Sequence, residues 1–285
     1  MLGAGCLWGS MGLFVRLLNR SGFQTMNIVF LRAVITASVL LAALLLFKRQ
    51  TLRVRWKDLW CFAGTGIASV VFFNFCYFRT IEKLSMSVAA VLLYTAPAFV
   101  LVISAVLFHE KITKRKVISL ILTVAGCALV SGVFAGGGPD SLDLPDLLIG
   151  IGAGVGYALY SIFSKLAIKR GYGSLTITFY TFLFAAFGCF LIPGSDAAFV
   201  FQNIIHSGWQ MAGFVILFSL VTTVIPYFLY TLGLRGMDNS KASVIATVEP
   251  AVASLIGIFV FREQPGILQL VGILAVLGGV ILSAS

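Results

Sequence analysis

The chain has 285 residues, of which 60% are hydrophobic and only 11% are charged, with a formal net charge of +10. A soluble domain carries about 25% charged residues, so this composition excludes a soluble globular protein. The basic excess does not indicate nucleic-acid binding, because the Lys and Arg residues lie in short loops between apolar runs, where they orient membrane helices. The composition therefore indicates an all-α membrane protein that spans a lipid bilayer several times.

Apolar runs of about 18 or more residues are typical of membrane helices. Along this chain they predict ten transmembrane helices, at residues 2–18, 25–47, 58–78, 85–108, 114–134, 147–168, 174–193, 209–234, 240–261 and 266–284. A stretch rich in Gly, Pro and Asp between the fifth and sixth spans predicts a linker. The expected organisation is a first five-helix repeat at 1–135, an extracytoplasmic linker at 136–146 and a second five-helix repeat at 147–285.

Loop charge predicts the orientation of the spans. The loops after the even-numbered spans hold most of the basic residues, whereas the linker carries Asp140, Asp143 and Asp146 and no basic residue. Because basic loops stay on the cytoplasmic side, both termini and the loops after even-numbered spans are predicted to be cytoplasmic.

An internal repeat predicts the architecture. Residues 84–132 align with residues 237–285 without a gap, and the earlier spans align as well. The matched pairs include Trp8 with Tyr157, Arg16 with Lys165, Tyr77 with Tyr230, Ser87 with Ser240, Pro97 with Pro250 and Glu110 with Glu263. Because each half has an odd number of spans, the second half enters from the opposite face. The halves are therefore predicted to be inverted repeats, as in many secondary transporters, with a site between them near the midplane.

Several of these segments resemble the EamA-type drug/metabolite transporters. The resemblance rests on the Trp8-Gly9-Ser10 start, Arg32 in the second span, the segment from Tyr94 through Pro97 to Glu110, and the segment from Glu249 through Pro250 to Glu263. It implies the ten-helix inverted-repeat fold with both ends cytoplasmic. It also implies secondary transport, with export across a bacterial cytoplasmic membrane as the expected direction. Many proteins of this family export amino acids or related metabolites and others move different small solutes, so the resemblance does not name the substrate.

Two charged residues within the spans are candidates for function because their repeat mates are uncharged. Glu249, whose mate is Ala96, lies about 13 Å into the ninth span, where a carboxylate normally faces a partner or a wet cavity. It could couple transport to protons or contact the substrate; the alternative is a carboxylate that only fixes helix packing. Arg32, whose mate is Thr181, could hold a substrate carboxylate or pair with Glu249. The alternative for Arg32 is snorkelling to the headgroups.

Aromatic and amide side chains within the spans predict the lining of a substrate cavity. Singly, each ring could instead pack or lie at the membrane interface, but a buried Tyr needs a hydrogen-bond partner, so a cavity lined by several would suit an amphipathic solute. The set comprises Trp8, Asn74, Tyr77, Tyr94, Tyr157, Tyr160, Tyr227 and Tyr230.

Three prolines predict points where the spans bend. Pro97 and Pro250 each remove a helix hydrogen bond near the middle of a span. Paired kinks suit segments that gate a site alternately, and static kinks are the alternative. Pro226 has no proline mate and is expected to open the local backbone of the eighth span.

Glu110 and Glu263 are matched in the repeat but are predicted to lie at opposite faces of the membrane. One substrate site therefore cannot use both in the same way. Each precedes a helix, where a carboxylate favours the N-terminal dipole, so both are interpreted as structural.

Two functional classes remain: a secondary transporter working by alternating access and, as the alternative, a membrane-embedded enzyme acting on a lipid or apolar substrate. Catalysis would need a cluster of acid–base, nucleophilic or metal-ligating groups. The two histidines, His109 and His206, lie near loops and far apart in sequence. The sequence predicts a transporter rather than an enzyme, with no catalytic residues, no metal, no cofactor and no nucleic-acid partner. Its expected partners are a small-molecule substrate, protons as the candidate coupling ion, and lipid, with a monomer or weak homodimer as the assembly.

Overall fold

The computed structural model describes residues 1–135, 143–190 and 197–284. Within these ranges the chain is helical and contains no β-strand. The α-helices of the first half are α1 (Leu2–Gly9), α2 (Met11–Arg20), α3 (Thr25–Phe47), α4 (Leu59–Ala63), α5 (Phe72–Lys83), α6 (Met86–Leu93), α7 (Ala96–Phe108) and α8 (Lys114–Val130). Those of the second half are α9 (Leu144–Lys169), α10 (Ser174–Phe190), α11 (Ala197–Ser219), α12 (Ile225–Gly233), α13 (Asn239–Ala246), α14 (Glu249–Phe261) and α15 (Ile267–Ala284).

Seven helical segments of the described chain are long and apolar enough to cross a membrane. They are Met26–Phe47, Trp56–Lys83, Met86–Phe108, Leu144–Lys169, Gly208–Gly233, Asn239–Phe261 and Ile267–Ala284. The apolar helix α10 is shorter. The predicted number of ten also includes α1 with α2, α8 and α10, which are interrupted or shorter than these segments, so that number stays a prediction.

The predicted boundaries need two corrections. The end of the predicted linker 136–146 is helical, because α9 begins at Leu144 with a proline in its first turn, a position where proline is favoured; residues 136–142 lie outside the described residues. The third span is longer than the predicted 58–78 and runs from Trp56 to Lys83.

Three predicted spans are interrupted rather than continuous. Ser10 separates α1 from α2, which corrects the continuous first span predicted at 2–18, and short breaks separate α6 from α7 and α13 from α14. A break inside a membrane leaves backbone carbonyls that no water can satisfy. At each break a hydroxyl donates to the carbonyl three residues earlier: Ser10 to Leu7 (2.7 Å), Thr95 to Leu92 (2.6 Å) and Thr247 to Val244 (2.5 Å).

Two π-helical segments lie at matching places in the halves. Gly64–Val71 leads into α5, and Leu220–Val224 leads into α12. Such segments widen the helix and are frequent at functional sites. At the end of the first segment, the Asn74 amide donates to the Val70 carbonyl at 2.6 Å. A polar side chain therefore supplies a hydrogen bond to a backbone carbonyl of the π-helix.

The helices of the two halves begin and end at positions that the repeat alignment pairs. The bounds of α6 and α7 coincide in that alignment with the bounds of α13 and α14. His109 after α7 and Arg262 after α14 are also paired, and both are left-handed, with φ of 58° and 56°. A non-glycine residue with positive φ is uncommon, so this shared exception indicates the same local fold in both halves.

Helices from the two halves interleave. α5 packs on α9, α3 packs on α10, and α7 packs on both α9 and α13. The main cluster of buried apolar residues is built mostly from α1, α3, α10 and α12. The core therefore lies between the halves, and the residues of the candidate site face it from both sides.

The final helices of the halves, α8 and α15, approach each other closely through glycine. A Cβ atom added at Gly126 would lie 2.8 Å from the Gly272 carbonyl oxygen, and one added at Gly272 would lie 2.8 Å from the Gly126 carbonyl oxygen. Ser119 donates a 2.7 Å hydrogen bond to the Gly279 carbonyl in the same contact. Small residues permit this approach of membrane helices, so α8 and α15 tie the halves together.

We expect Gly126→Ala to destabilise the protein, because the new methyl group would collide with backbone atoms of α15. Overpacking of this kind costs about 1–3 kcal/mol of unfolding free energy. Gly278→Ala is the matched control, since a Cβ atom there meets nothing within 4 Å. Thermal unfolding in detergent measures both variants, and an unchanged midpoint for Gly126→Ala would contradict the close packing.

Candidate functional site

Several of the predicted cavity residues form one connected aromatic cluster. The Trp8 ring of α1 has its centroid 5.2 Å from Tyr227 and 5.4 Å from Tyr230 of α12. From α9, Tyr160 lies 4.9 Å from Tyr227, and Tyr157 lies 6.4 Å from Trp8. These separations are typical of favourable ring pairs. The cluster joins α1 of the first half to α9 and α12 of the second.

The polar atoms of this cluster are only partly satisfied by the protein. Ser161 Oγ and the Tyr230 hydroxyl lie 2.5 Å apart and share a hydrogen bond. Trp8 Nε1 is buried and has no hydrogen-bond partner among the described residues. A buried donor without a partner costs about 1–3 kcal/mol, so the indole N–H is available to an acceptor on a bound solute.

Glu249 lies beside the cluster at the start of α14. The Tyr157 hydroxyl donates to Oε2 of Glu249 at 3.3 Å, and the residue is half-buried. Glycine lets α1 approach this point, since a Cβ atom at Gly9 would lie 2.7 Å from the Glu249 carbonyl oxygen. The break between α13 and α14 therefore places the carboxylate between two helices, next to the aromatic rings.

Arg32 of α3 is buried without a carboxylate partner. Its exposed fraction is 3%, and one terminal nitrogen donates to the Met11 thioether sulfur at 3.1 Å. In the described part of the chain its Nε has no partner, and no carboxylate lies within ion-pair distance of it. Met11 packs against the same core cluster that contains Trp8 and Tyr227. A weak thioether acceptor leaves most of this cation's hydrogen-bonding capacity unused.

The remaining predicted cavity residues have different positions. Tyr77 lies near the cluster through Phe73, whose centroid is 5.8 Å from Tyr77 and 5.5 Å from Tyr157. Tyr94 is half-buried at the break between α6 and α7. Asn74 is buried, and its amide donates to the Val70 carbonyl of the preceding turn.

The three prolines all occupy the first turn of a helix that follows an irregular segment. Pro97 begins α7 after the break at Thr95, and Pro250 begins α14 after the break at Val248. Pro226 begins α12 directly after the π-helical segment. Proline is tolerated in a first turn because the missing N–H has no helical partner there. The prolines therefore mark the joints of these spans rather than kinks within a continuous helix.

The dipole interpretation of Glu110 and Glu263 needs correction, because among the described residues neither carboxylate accepts a hydrogen bond from the first N–H groups of the helix that follows it. Glu110 does form an ion pair with Lys116 of α8 at 3.8 Å. Glu110 accepts a 2.7 Å hydrogen bond from the Asn239 N–H at the start of α13. Glu263 pairs with Arg16 at 2.9 Å. Asn239 and Arg16 lie far from these glutamates in sequence, so the helix that follows each glutamate could not predict these two contacts.

Sequence reasoning missed three residues of the site. Met11 supplies the sulfur acceptor to Arg32, Phe73 bridges two tyrosines, and Ser161 pairs with Tyr230. Phe and Met carry no distinct signal in a chain this apolar. Ser161 follows Tyr160 directly, and a hydroxyl beside two predicted tyrosines was a usable signal.

Among the described residues, no group of three or more His, Cys, Asp or Glu is placed to hold a metal ion. The two ionisable side chains singled out at the site, the carboxylate of Glu249 and the guanidinium of Arg32, lie on α14 and α3. Groups of these two kinds form charge-assisted hydrogen bonds with partners of opposite charge.

Comparison with known proteins agrees with this arrangement. The profile of the EamA-like transporter family matches residues 1–132 and 144–285. An uncharacterized transporter of Archaeoglobus fulgidus is 28% identical over 74% of this chain and 73% of its own. The uncharacterized transporter YxxF of Bacillus subtilis is 26% identical over 97% and 86%. A crystal structure with 18% identity superposes with a TM-score of 0.78 over 98% of this chain and 93% of that one, which supports the fold alone.

Proposed function

Because the chain belongs to the EamA-like transporter family, we propose that it is a secondary active transporter that exports a small metabolite such as an amino acid by alternating access. Membership confirms the resemblance seen in the sequence, and relatives named as transporters favour this class over a membrane enzyme. The observation that carries the proposal is the buried guanidinium of Arg32, which is unpaired with any described carboxylate and contacts Met11, a residue packed against the core cluster of Trp8 and Tyr227. Export and a bacterial cytoplasmic membrane extend the family resemblance.

The substrate proposal follows from the two charged groups. A buried cation without a counter-ion is unfavourable in a membrane, so Arg32 is suited to hold a carboxylate of the solute, with both oxygens within reach of a planar guanidinium. Glu249 is suited to the ammonium group, or to a proton that moves in exchange for it. The rings of Trp8, Tyr157 and Tyr227 supply apolar surface between them. A zwitterionic amino acid satisfies all three features.

The direction of the helices supports two inverted halves. Gly150 near the start of α9 lies against Leu92 of α6, and Lys169 at its end lies 4.6 Å from the Phe108 ring at the end of α7. The α6–α7 pair therefore runs in the same direction as α9. Because the segment after α7 contacts the start of α13, the α13–α14 pair sets out from the face where α7 ends.

The contacts of α1 and α2 give the direction of the α13–α14 pair. Gly5 of α1 lies against Val248 between α13 and α14, and the Arg16 guanidinium of α2 lies 4.2 Å from the Phe261 ring at the end of α14. The pair α13–α14 thus runs with α1–α2 towards the opposite face. Opposed directions of the matched spans favour two repeats related by an axis in the membrane plane, at 1–135 and 147–285. Ten spans with both termini cytoplasmic complete the proposal.

Alternating access then uses the joints of the two matched spans. The breaks before α7 and α14 lie beside Tyr94 and Glu249, so bending there changes the distance between the halves at the site. Motions of this kind set the rate of many transport and catalytic cycles. The two halves complete the fold in one chain, which supports a monomer or a weak homodimer.

We expect Glu249→Gln to slow exchange of the substrate in proteoliposomes by about tenfold, or about 1.4 kcal/mol in the barrier, and to abolish its dependence on pH. The amide neither releases a proton nor neutralises an ammonium group. Glu82→Gln is the matched control, because Glu82 is exposed and pairs only with Arg79 at 3.4 Å. Unchanged rate and pH dependence in Glu249→Gln would remove the coupling role.

We also expect Pro97→Ala and Pro250→Ala each to slow exchange by about tenfold, again about 1.4 kcal/mol in the barrier. Alanine removes the ring whose clash with the preceding turn keeps the flanking helices apart, so the two helices can join and the joint becomes stiffer. Equilibrium binding of the substrate, measured by tryptophan fluorescence, should change much less than the rate. Normal exchange rates in both variants would contradict gating at these joints.

A further inference from the structure

The carboxylate of Glu110 occupies the start of a helix in the other half of the molecule. Oε1 accepts from the Asn239 N–H at 2.7 Å, and Oε2 accepts from the Ser240 N–H at 3.2 Å and the Ser240 hydroxyl at 2.7 Å. The first N–H groups of a helix have no partner within it, and the helix dipole favours an anion there. Glu110 thus holds the segment after α7 against α13 by three hydrogen bonds.

Glu263 is the repeat mate of Glu110 but has a different partner. It forms an ion pair of 2.9 Å with Arg16, in which the side chains are 54% and 50% exposed. Exposed ion pairs contribute little to stability. Glu263 is therefore bound weakly where it is, although the backbone around it matches that around Glu110.

In the first half, the helix start that corresponds to the Glu110-bound start of α13 is the start of α6, and no described carboxylate binds it. In the repeat alignment Met86 and Ser87 of α6 correspond to Asn239 and Ser240 of α13. Met86 is 70% exposed, whereas Asn239 is fully buried. Among the described residues, no carboxylate bonds to the first N–H groups of α6, whose Ser85 cap accepts only from Val88.

The basic residues beside the two glutamates differ in the same way. Lys165 donates to the Leu234 and Met237 carbonyls, at 2.6 and 2.8 Å, in the segment before α13. Its repeat mate Arg16 instead holds Glu263. Helix packing differs between the two sides as well. α7 packs on α13, whereas α14, the mate of α7, does not pack closely on α6, the mate of α13. The two corresponding contacts between the halves are therefore packed to different extents, close at α7 with α13 and loose at α14 with α6.

We propose that Glu110 and Glu263 are alternating latches, one for each conformer of the transport cycle. In the conformer described here, Glu110 is hydrogen-bonded to the start of α13. In the other conformer Glu263 leaves Arg16 and accepts hydrogen bonds from the Met86 and Ser87 N–H groups and the Ser87 hydroxyl, while Glu110 releases α13. This inference rests on the alternation in the proposed function, and it names the contacts that hold each state.

The test measures distances across each latch by double electron–electron resonance. Spin labels are attached at Ile112 with Gly236 across the Glu110 latch, and at Lys83 with Ile267 across the Glu263 latch. All four positions are outside the proposed contacts, and the five native cysteines are replaced by alanine. We expect Glu110→Gln to change the ratio of the two conformers by about tenfold, since it weakens charge-assisted hydrogen bonds, with a longer Ile112–Gly236 distance and a shorter Lys83–Ile267 distance.

The decisive variant combines both changes. Adding Glu263→Gln to Glu110→Gln should restore the distance distributions of the parent protein, and adding Ser87→Ala should restore them in part. In the present conformer the Ser87 side chain makes no hydrogen bond to any described residue, whereas its mate Ser240 donates to Glu110, so an effect of Ser87→Ala requires the proposed contact. Glu82→Gln on the same background is the control and should change nothing. Ser240→Ala alone should shift the ratio in the same direction as Glu110→Gln, by about threefold.

The latch proposal is overturned if Glu110→Gln leaves both distances unchanged, or if Glu263→Gln fails to reverse its effect. Solute counterflow in vesicles of the same preparations separates this failure from a failure of the proposed function. Counterflow with unresponsive distances would reject the latches and leave transport standing. A single distance distribution in every variant, without counterflow, would reject both.

Discussion

Inside a bilayer every backbone polar group has to be satisfied by the protein itself, and this constraint decides where the spans can be interrupted. At the breaks near Ser10, Thr95 and Thr247, a side-chain hydroxyl donates a hydrogen bond to a backbone carbonyl of the preceding turn. The interruptions are therefore stable without water and can persist in the core of the molecule. They also place the joints of three spans around the aromatic cluster, where a change of helix direction alters the site directly.

The matched helices α6–α7 and α13–α14 have the same bounds in the repeat alignment, but the two halves differ in their buried charges. Glu249 is matched by Ala96, and Arg32 by Thr181, whose hydroxyl donates to Thr65 at 2.7 Å as an ordinary neutral pair. The repeat supplies two similar scaffolds whose helices interleave. The unmatched charges make the surface between them asymmetric, so a solute with two different ends has one favoured orientation.

Hydropathy and the repeat predicted much of the fold because both depend on residues close in sequence. The starts of α3 and α10 at Thr25 and Ser174 fall where the apolar runs begin. The break at Ser10 and the π-helical segments were missed, since an apolar run looks the same whether its helix is regular or not. The aromatic side chains were predicted as a set, but the hydrogen bond of Asn74 to the Val70 carbonyl beside the π-helical segment was not predicted. The partner of Glu110 lies in the other half, and only the packing of the halves brings it near.

Binding of a solute carboxylate at Arg32, between the halves, can be tested by counterflow in proteoliposomes, with labelled amino acids outside and each amino acid or its carboxamide inside. We expect exchange for at least one amino acid and none for the corresponding amide, which lacks the anion that a buried guanidinium requires. Equal exchange of acid and amide would contradict carboxylate recognition at Arg32, and no exchange of any amino acid would contradict the substrate class.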